Sequence, residues 1–439
     1  MKTNKTLLST AVAFGLLSSA NLANAAGFQL AEYSATGLGR AYAGEAAMAD
    51  NASAQWRNPA MLTYLEGTQV SVGAIYVNPN IDVKGTTTLK RPVTGQTVAV
   101  TDSESDDFAH DAIIPNLYIS HRYNDQLAIG FALGTNYGME TDLGKDFTAS
   151  HFGNEASVIS KEANLNLAYQ LNEQFSVGGG VRYIIAEGSF GATAPKKNIL
   201  GVQQGTTLKY MEGDDTAWGW QIGSAWQINE NHRVGFTYKS EVELKLEGHA
   251  EGFGFNKILG DTRDFYDTGS MTLSLPATAE LASFHQLSEQ LALHTSINWT
   301  DWSSFKELYA DLDNNPGSTV KEEHWKDNYR FAVGATYQLQ PKLALRTGIA
   351  YDTSAVSDKN RTITIPETDR TWLSIGATYD WMQDFTLDAG FTYIIAKDAP
   401  IKESRGYSSD EAAQAVGGQF VGETTGNVWL IGVQANYRF

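Results

Sequence analysis

Six short polar turns recur along the chain, and what flanks them restricts the fold more than any other feature. They lie in RYNDQLAI (122–129), YQLNEQF (169–175), WQINENHRV (226–234), HQLSEQLAL (285–293), YQLQPKLAL (337–345) and DWMQDFTL (380–387). Each joins two runs in which apolar and polar residues alternate. Strand side chains point to opposite faces with a period of two, so alternation gives a strand one apolar and one polar face. In 371–381, Leu373, Ile375, Ala377, Tyr379 and Trp381 oppose Ser374, Gly376, Thr378 and Asp380. Leu165, Leu167, Tyr169 and Leu171 oppose Asn164, Asn166 and Gln170. Leu291, Leu293, Ile297 and Trp299 oppose His294, Ser296 and Asn298, and the last run alternates up to the terminal Phe439.

The pattern predicts fourteen strands, near 68–79, 112–123, 126–141, 157–171, 174–190, 216–229, 232–247, 270–286, 289–302, 325–339, 342–353, 370–382, 385–398 and 426–439. Long and short connections alternate without a break. The long ones are 80–111, 142–156, 191–215, 248–269, 303–324, 354–369 and 399–425; the short ones are the six turns. A soluble sandwich would also alternate. An even strand number, tight turns at one end and long loops at the other describe an outer-membrane barrel. Closure removes the unpaired edges that lipid does not tolerate. Aromatic residues at strand ends (Trp226, Trp299, Trp302, Trp381, Tyr437) fit interfacial girdles.

The front of the chain agrees with export. Lys2 and Lys5, the apolar stretch Leu7 to Leu17, and Ala23-Asn24-Ala25 read as a cleaved signal peptide over 1–25. No later apolar run approaches the roughly 20 residues of a membrane helix. There is no cysteine, hence no disulfide or thiolate metal site, and the net charge of −18 excludes nucleic acid as a natural partner.

Residues 26–67 lack the period-two pattern and are rich in Gly, Ala and Ser. GEAAMADNASAQWRNPAML reads as short helical pieces broken at Asn58-Pro59. A compact segment of small residues suits the inside of a lumen, so 26–67 are expected to form a hatch and 68–439 the barrel. The fold class expected is all-β, a 14-stranded antiparallel transmembrane β-barrel plugged by an N-terminal, partly helical hatch. Arg40, Arg57, Glu45 and Asp50 are candidates to tie the hatch to Asp352, Asp369 or Arg370 of the wall.

AGFQLAEYSATGLGRAYAGEAAMADNASAQWRNPA resembles the N-terminal hatch of the outer-membrane long-chain fatty acid transporter (FadL) family. GTNYGMET (134–141), WKDNYRFAVGATY (325–337), RTGIAYDTSAVSDKNRTITIPETDRTWLSIGATY (346–379) and the closing NYRF are similar to segments of that family in the same order. The resemblance implies passive transport of a hydrophobic molecule by a fourteen-stranded, hatch-plugged barrel. It implies a carboxylate-binding cation at Lys321; a solvated loop lysine beside Glu322 and Glu323 is the alternative. The family's partnering arginine has no clear match, and Lys196 or Lys197 is the substitute considered. Asn58, Pro59 and Ala60 match the hatch gate, or form a plain turn into the first strand. Asn136, Tyr137 and Gly138 match an inward kink of the third strand that opens the wall laterally, or Gly138 simply relieves crowding. Phe253, Phe255, Ile258 and Leu259 in loop 248–269 are apolar where a loop is polar, which suggests ligand capture or a packed lid.

The expected partners are a long-chain fatty acid or another hydrophobic small molecule, together with outer-membrane lipid and lipopolysaccharide. The chain is expected to be a monomer in the bacterial outer membrane with no cofactor. An aromatic hydrocarbon is the alternative cargo. A general porin conflicts with a hatch. An enzyme conflicts with eight histidines that show no catalytic or metal spacing, and with the lack of G-x-S-x-G.

Overall fold

The computed structural model describes residues 27–91, 94–256, 261–404 and 418–439. The expected signal segment therefore lies outside the described residues. Fourteen antiparallel strands close into a barrel. Seven are continuous: β1 (Thr68–Lys90), β4 (Glu155–Gln170), β5 (Phe175–Thr193), β6 (Thr207–Asn229), β11 (Leu343–Asp352), β12 (Arg370–Met382) and β14 (Gln419–Arg438). The others run as two segments each. These are β2 (Thr97–Ser105, Ala112–Arg122), β3 (Leu127–Gly134, Gly138–Asp142), β7 (His232–Lys239, Val242–Glu251), β8 (Tyr266–Leu275, Thr278–Gln286), β9 (Leu291–Thr300, Glu307–Leu312), β10 (Ser318–Glu322, Asn328–Gln340) and β13 (Phe385–Ala396, Ala399–Glu403). Each strand pairs with the next, and β1 closes the ring on β14 from Gln69↔Arg438 to Thr88↔Gln419.

The wall is inverted relative to a soluble sandwich. Ile375 is 61% exposed while its neighbour Ser374 is 3% exposed. Leu165, Leu167, Ile431 and Val433 likewise face outward, and Asn164, Asn166 and Gln434 are buried inside. A belt of uncovered aliphatic side chains this large has no place on a water-soluble monomer. Against hydrocarbon it is the favourable surface, and the polar groups of the backbone are satisfied strand to strand.

Strands reach further than alternation indicates. β1 continues to Lys90, and Thr97–Ser105 folds back on it from Val83↔Ser105 to Lys90↔Thr97, inside the expected loop 80–111. β6 begins at Thr207 and β14 at Gln419, inside the expected loops 191–215 and 399–425. Beyond the bilayer neither face meets lipid, so the hydrogen-bonded ladder persists without an apolar face to mark it. Trp302 corrects the girdle expectation. It sits in a 3-10 turn (Trp302–Ser304) after the first segment of β9 and is fully buried in the lumen.

Residues 27–67 fill the bore with two single-turn helices, α1 (Ala35–Leu38) and α2 (Ala54–Arg57), and two 3-10 turns, Glu45–Ala47 and Pro59–Tyr64. Ser34 caps α1 by accepting from the Gly37 amide at 3.0 Å. The hatch runs so close to the wall that a Cβ on Gly376 would lie 2.6 Å from Gly39 Cα. Its charge pairs differ from expectation. Arg40 binds Glu45 and Asp50 of the hatch itself, at 2.7 Å each. Arg57 reaches the wall at Glu280, 3.3 Å away. Asp352 is taken by Arg330, whose guanidinium also donates to the Ala41 carbonyl at 3.0 Å. The hatch is buried among lumenal charges, and a buried charge needs a partner at hand. Arg40 finds two within ten residues of itself.

Candidate ligand-binding site

A large apolar cluster occupies the lumen where the first hatch residues meet the wall. The Phe28 ring contacts Trp302, Phe305 and Tyr137 edge-on, with centroids 4.6, 5.6 and 6.1 Å away. Trp325 packs on Trp302 at 4.9 Å, and Met139, Phe190, Leu244, Leu273 and Leu275 extend the cluster around the barrel. Edge-to-face packing of this kind adds roughly 0.5–1.5 kcal/mol per pair beyond burial.

Lys321 lies at the edge of this cluster. It is buried rather than solvated, with its ammonium 5.6 Å from the Phe190 ring centroid. Its Nζ is 2.8 Å from Glu403 Oε1 and donates to Thr364 Oγ1 at 3.2 Å. Glu403 Oε2 accepts from the Ile363 amide at 2.8 Å, which fixes the carboxylate in place. Nearby Glu323 accepts from Trp325 Nε1 at 2.9 Å. Burial pushes the Glu323 carboxyl up to about 7, against the opposing pull of Lys321. Glu403 carries no sign of this role in the sequence, because it falls in 399–425, which reads as loop.

The other expected residues are placed as follows. Lys196 and Lys197 are exposed in the loop after β5 and do not join Lys321 in the buried set. Phe253 and Phe255 are 8% and 5% exposed. Phe253 packs on Ala194 and Leu208, and Phe255 stacks on Phe265 at 5.4 Å. Phe253 and Phe255 are thus both packed; Ile258 and Leu259 lie outside the described residues.

Asn58, Pro59 and Ala60 form the joint between α2 and the following 3-10 turn. Asn58 Oδ1 accepts from the Ala60 amide at 2.9 Å. Its Nδ2 donates to Ala46 O at 2.6 Å and to Ser224 O of β6 at 3.0 Å. One side chain thus locks two parts of the hatch to the wall. The wall accommodates it through missing side chains. A Cβ on Gly223 would fall 1.9 Å from Asn58 Oδ1, and one on Gly178 would fall 2.5 Å from the Ala60 nitrogen.

Asn136, Tyr137 and Gly138 lie at a break in the wall. β2 and β3 pair from Arg122↔Ala128 to Leu117↔Leu133. The ladder then stops and resumes only at the Ala109↔Thr141 bridge. Between them β3 is interrupted at residues 135–137. Backbone groups freed in this way need partners, and the hatch supplies them from inside. Leu30 N donates to Asn136 O and Gly138 N donates to Phe28 O, both at 2.7 Å, and Gln29 bridges Tyr137. The same hatch segment that carries Phe28 into the apolar cluster therefore pairs with β3 at its break.

Three charged residues behind this gap were not among the expected site residues. Glu162 is held by both arms of Arg182 at 2.8 Å, and Asn136 Nδ2 donates to Glu162 at 2.7 Å. Lys239 Nζ donates to Asn136 Oδ1 at 3.3 Å. Charges at lumen-facing positions in mid-strand were the available signal.

Comparison with known proteins decides the relationship. The family model described as outer membrane protein transport protein (OMPP1/FadL/TodX) matches residues 16–439. The chain belongs to that family. A long-chain fatty acid transport protein of Escherichia coli O6:H1 is 34% identical over 464 residues, covering 100% of this chain and 99% of the relative. Outer membrane protein P1 of Haemophilus influenzae is 35% identical over 468 residues, covering all of both chains. Among solved structures, a Pseudomonas aeruginosa FadL homologue superposes with a TM-score of 0.81 at 23% identity, covering 94% of this chain and 100% of that one. The Ralstonia pickettii toluene transporter TbuX gives 0.64 at 16% identity, covering 93% and 98%. Like the rest of the OMPP1/FadL/TodX family, this barrel is an outer-membrane transport protein.

Proposed function

We propose that the protein carries long-chain fatty acids passively across the outer membrane, and that Lys321 receives the carboxylate while the lumenal cluster holds the alkyl chain. The observation that carries this reading is a buried ammonium at the rim of an aromatic and aliphatic cluster. A carboxylate entering a low-dielectric site needs such a cation, and the chain needs a surface without water. The gap between β2 and β3, closed by Phe28–Leu30, is the exit: displacement of three hatch residues opens a path from the cluster to lipid. The full-length relatives named for fatty acid transport support the same cargo.

An aromatic hydrocarbon is the second reading. It is favoured by Glu403, which already neutralises Lys321, so that a neutral ligand meets no unmet charge. Binding of radiolabelled oleate and toluene separates the two. Lys321→Met strands Glu403 in a buried site, and breaking one arm of such a pair destabilises by roughly 3–5 kcal/mol. The variant to compare with wild type is therefore Lys321→Met/Glu403→Gln. Oleate affinity is expected to fall about tenfold to a hundredfold, the worth of a charge-assisted bond, with toluene unaffected. Unchanged oleate binding, or wild-type affinity for toluene alone, overturns the fatty-acid reading.

A further inference from the structure

Lys239 is a buried lysine without a buried anion of its own. It ends the first segment of β7 and faces the lumen, with 4% of its surface exposed. Its ammonium lies 4.7 Å from the Trp56 ring of the hatch and makes the 3.3 Å bond to Asn136. Among the described residues no carboxylate oxygen lies within ion-pair distance of it. The nearest acidic group in this network, Glu162, is committed to Arg182 through two 2.8 Å bonds, and to Asn136. Arg182 in turn donates to Ser240 O at 3.0 Å. The group therefore holds two basic side chains and one carboxylate. A charged Lys239 would have three donors to satisfy, and in this buried site an arriving anion is what would meet them.

The surroundings select the anion. Asn136 adjoins Tyr137, Arg182 lies two residues before Ile184, and Lys239 three before Val242; Tyr137, Ile184 and Val242 all belong to the apolar cluster. The polar group is thus the floor of the cluster and lies directly behind the break in β3. On the same wall, Asn164 stands opposite Arg182 in the β4–β5 register. Both of its amide atoms are buried without a partner. This floor has a lysine with no carboxylate beside it and a free amide.

We propose that Lys239 and Asn136 form a second carboxylate site, distinct from Lys321, that holds the head group of an amphiphile as it leaves through the gap. This rests on the fatty-acid reading above. The alkyl tail partitions into lipid first, because it alone gains there. The carboxylate is the last part to pass the wall and loses its water before it does so. A cation at the inner lip of the gap supports it at that point. Asn136 couples the site to the gap, since its side chain binds Lys239 and its carbonyl accepts from Leu30 of the hatch.

Lys239→Met keeps the length of the side chain over Trp56 and removes the charge. In liposomes containing the purified barrel, transfer of oleate is expected to slow about tenfold while transfer of methyl oleate is unchanged and equilibrium oleate binding is retained. Equal slowing of both ligands shows a packing role only and overturns the proposal, as does unaltered oleate transfer. A wild-type barrel that binds no oleate overturns the fatty-acid reading and this site with it. A wild-type measurement stands independent of the variant's folding: an oleate analogue that keeps its free carboxylate and carries a photoactivatable diazirine beside it, followed by peptide mapping, is expected to label the segments around both Lys239 and Lys321, with excess oleate protecting both. Labelling around Lys321 without labelling around Lys239 overturns the second site alone.

Discussion

Glu323 shows how much one buried carboxyl can govern at the residue scale. Its proton leaves at about 7 because burial disfavours the charged form. Below that pH the group is neutral and Lys321 faces Glu403 alone. Above it a second negative charge appears beside the same ammonium. Affinity for an anionic ligand is therefore present at low pH and declines as pH rises through 7. An alkyl sulfonate, ionised throughout, removes titration of the ligand from the measurement. Its affinity is expected to fall severalfold between pH 6 and pH 8 in wild type, since about 1 kcal/mol of repulsion corresponds to roughly fivefold. Glu323→Gln is expected to flatten the profile at the low-pH affinity. A profile unchanged by Glu323→Gln counts against the assignment. Lys321 was legible in the sequence only through resemblance. Its burial was not, because VKEEHW gives no periodic sign that a lysine beside two glutamates turns inward. Glu403 was invisible for a related reason: its partner lies 82 residues away in sequence, and only the paired strands bring them together.

At the scale of elements, the membrane strands were readable and their extensions were not. Ile375 and Ser374 alternate because one meets lipid and the other the lumen; Thr97–Ser105 meets neither, and the pattern is lost. The hatch turn at Asn58-Pro59 was readable from proline chemistry. Its docking was not, since the signal lies in wall glycines at 178 and 223 whose purpose appears only when Asn58 and Ala60 lie against them. That docking makes a prediction. Gly223→Ala forces a methyl into Asn58 Oδ1, and overpacking of this kind costs roughly 1–3 kcal/mol. Around Gly223 the wall is held by the ladder to β5 on one side and the ladder to the first segment of β7 on the other, so the hatch is expected to yield rather than the barrel. Limited proteolysis is expected to cleave the hatch of Gly223→Ala faster than that of wild type, while heat-resistant barrel mobility on gels stays the same. Loss of the barrel itself in that variant contradicts this division of stability.

For the whole molecule, the decisive arrangement is a closed wall with a polar inner face and a separate segment inside it. Closure depends on β1 and β14, the two ends of the barrel sequence, whose ladder starts at Gln69↔Arg438 and takes no residue from 26–60. The lumenal face is built from groups such as Asn164, Asn166, Ser374 and Gln434, which water can satisfy as well as the hatch does. Removing residues 26–60 is therefore expected to leave a folded barrel. It takes away Arg57 from Glu280, but that carboxylate then faces water rather than a dry interior, so the large penalty of an unpaired buried charge does not arise. It also removes Phe28 from the apolar cluster and the backbone partners of Asn136 and Gly138. The truncated barrel should then combine two behaviours that wild type lacks: steady ion current in planar bilayers, and much weakened retention of oleate. Current without loss of oleate binding separates the plug from the binding site and assigns the cluster to the wall alone. A wild-type barrel that conducts as freely as the truncated one removes the plug from the mechanism, because a lumen already open to ions gives a hydrophobic molecule no dry path to the gap.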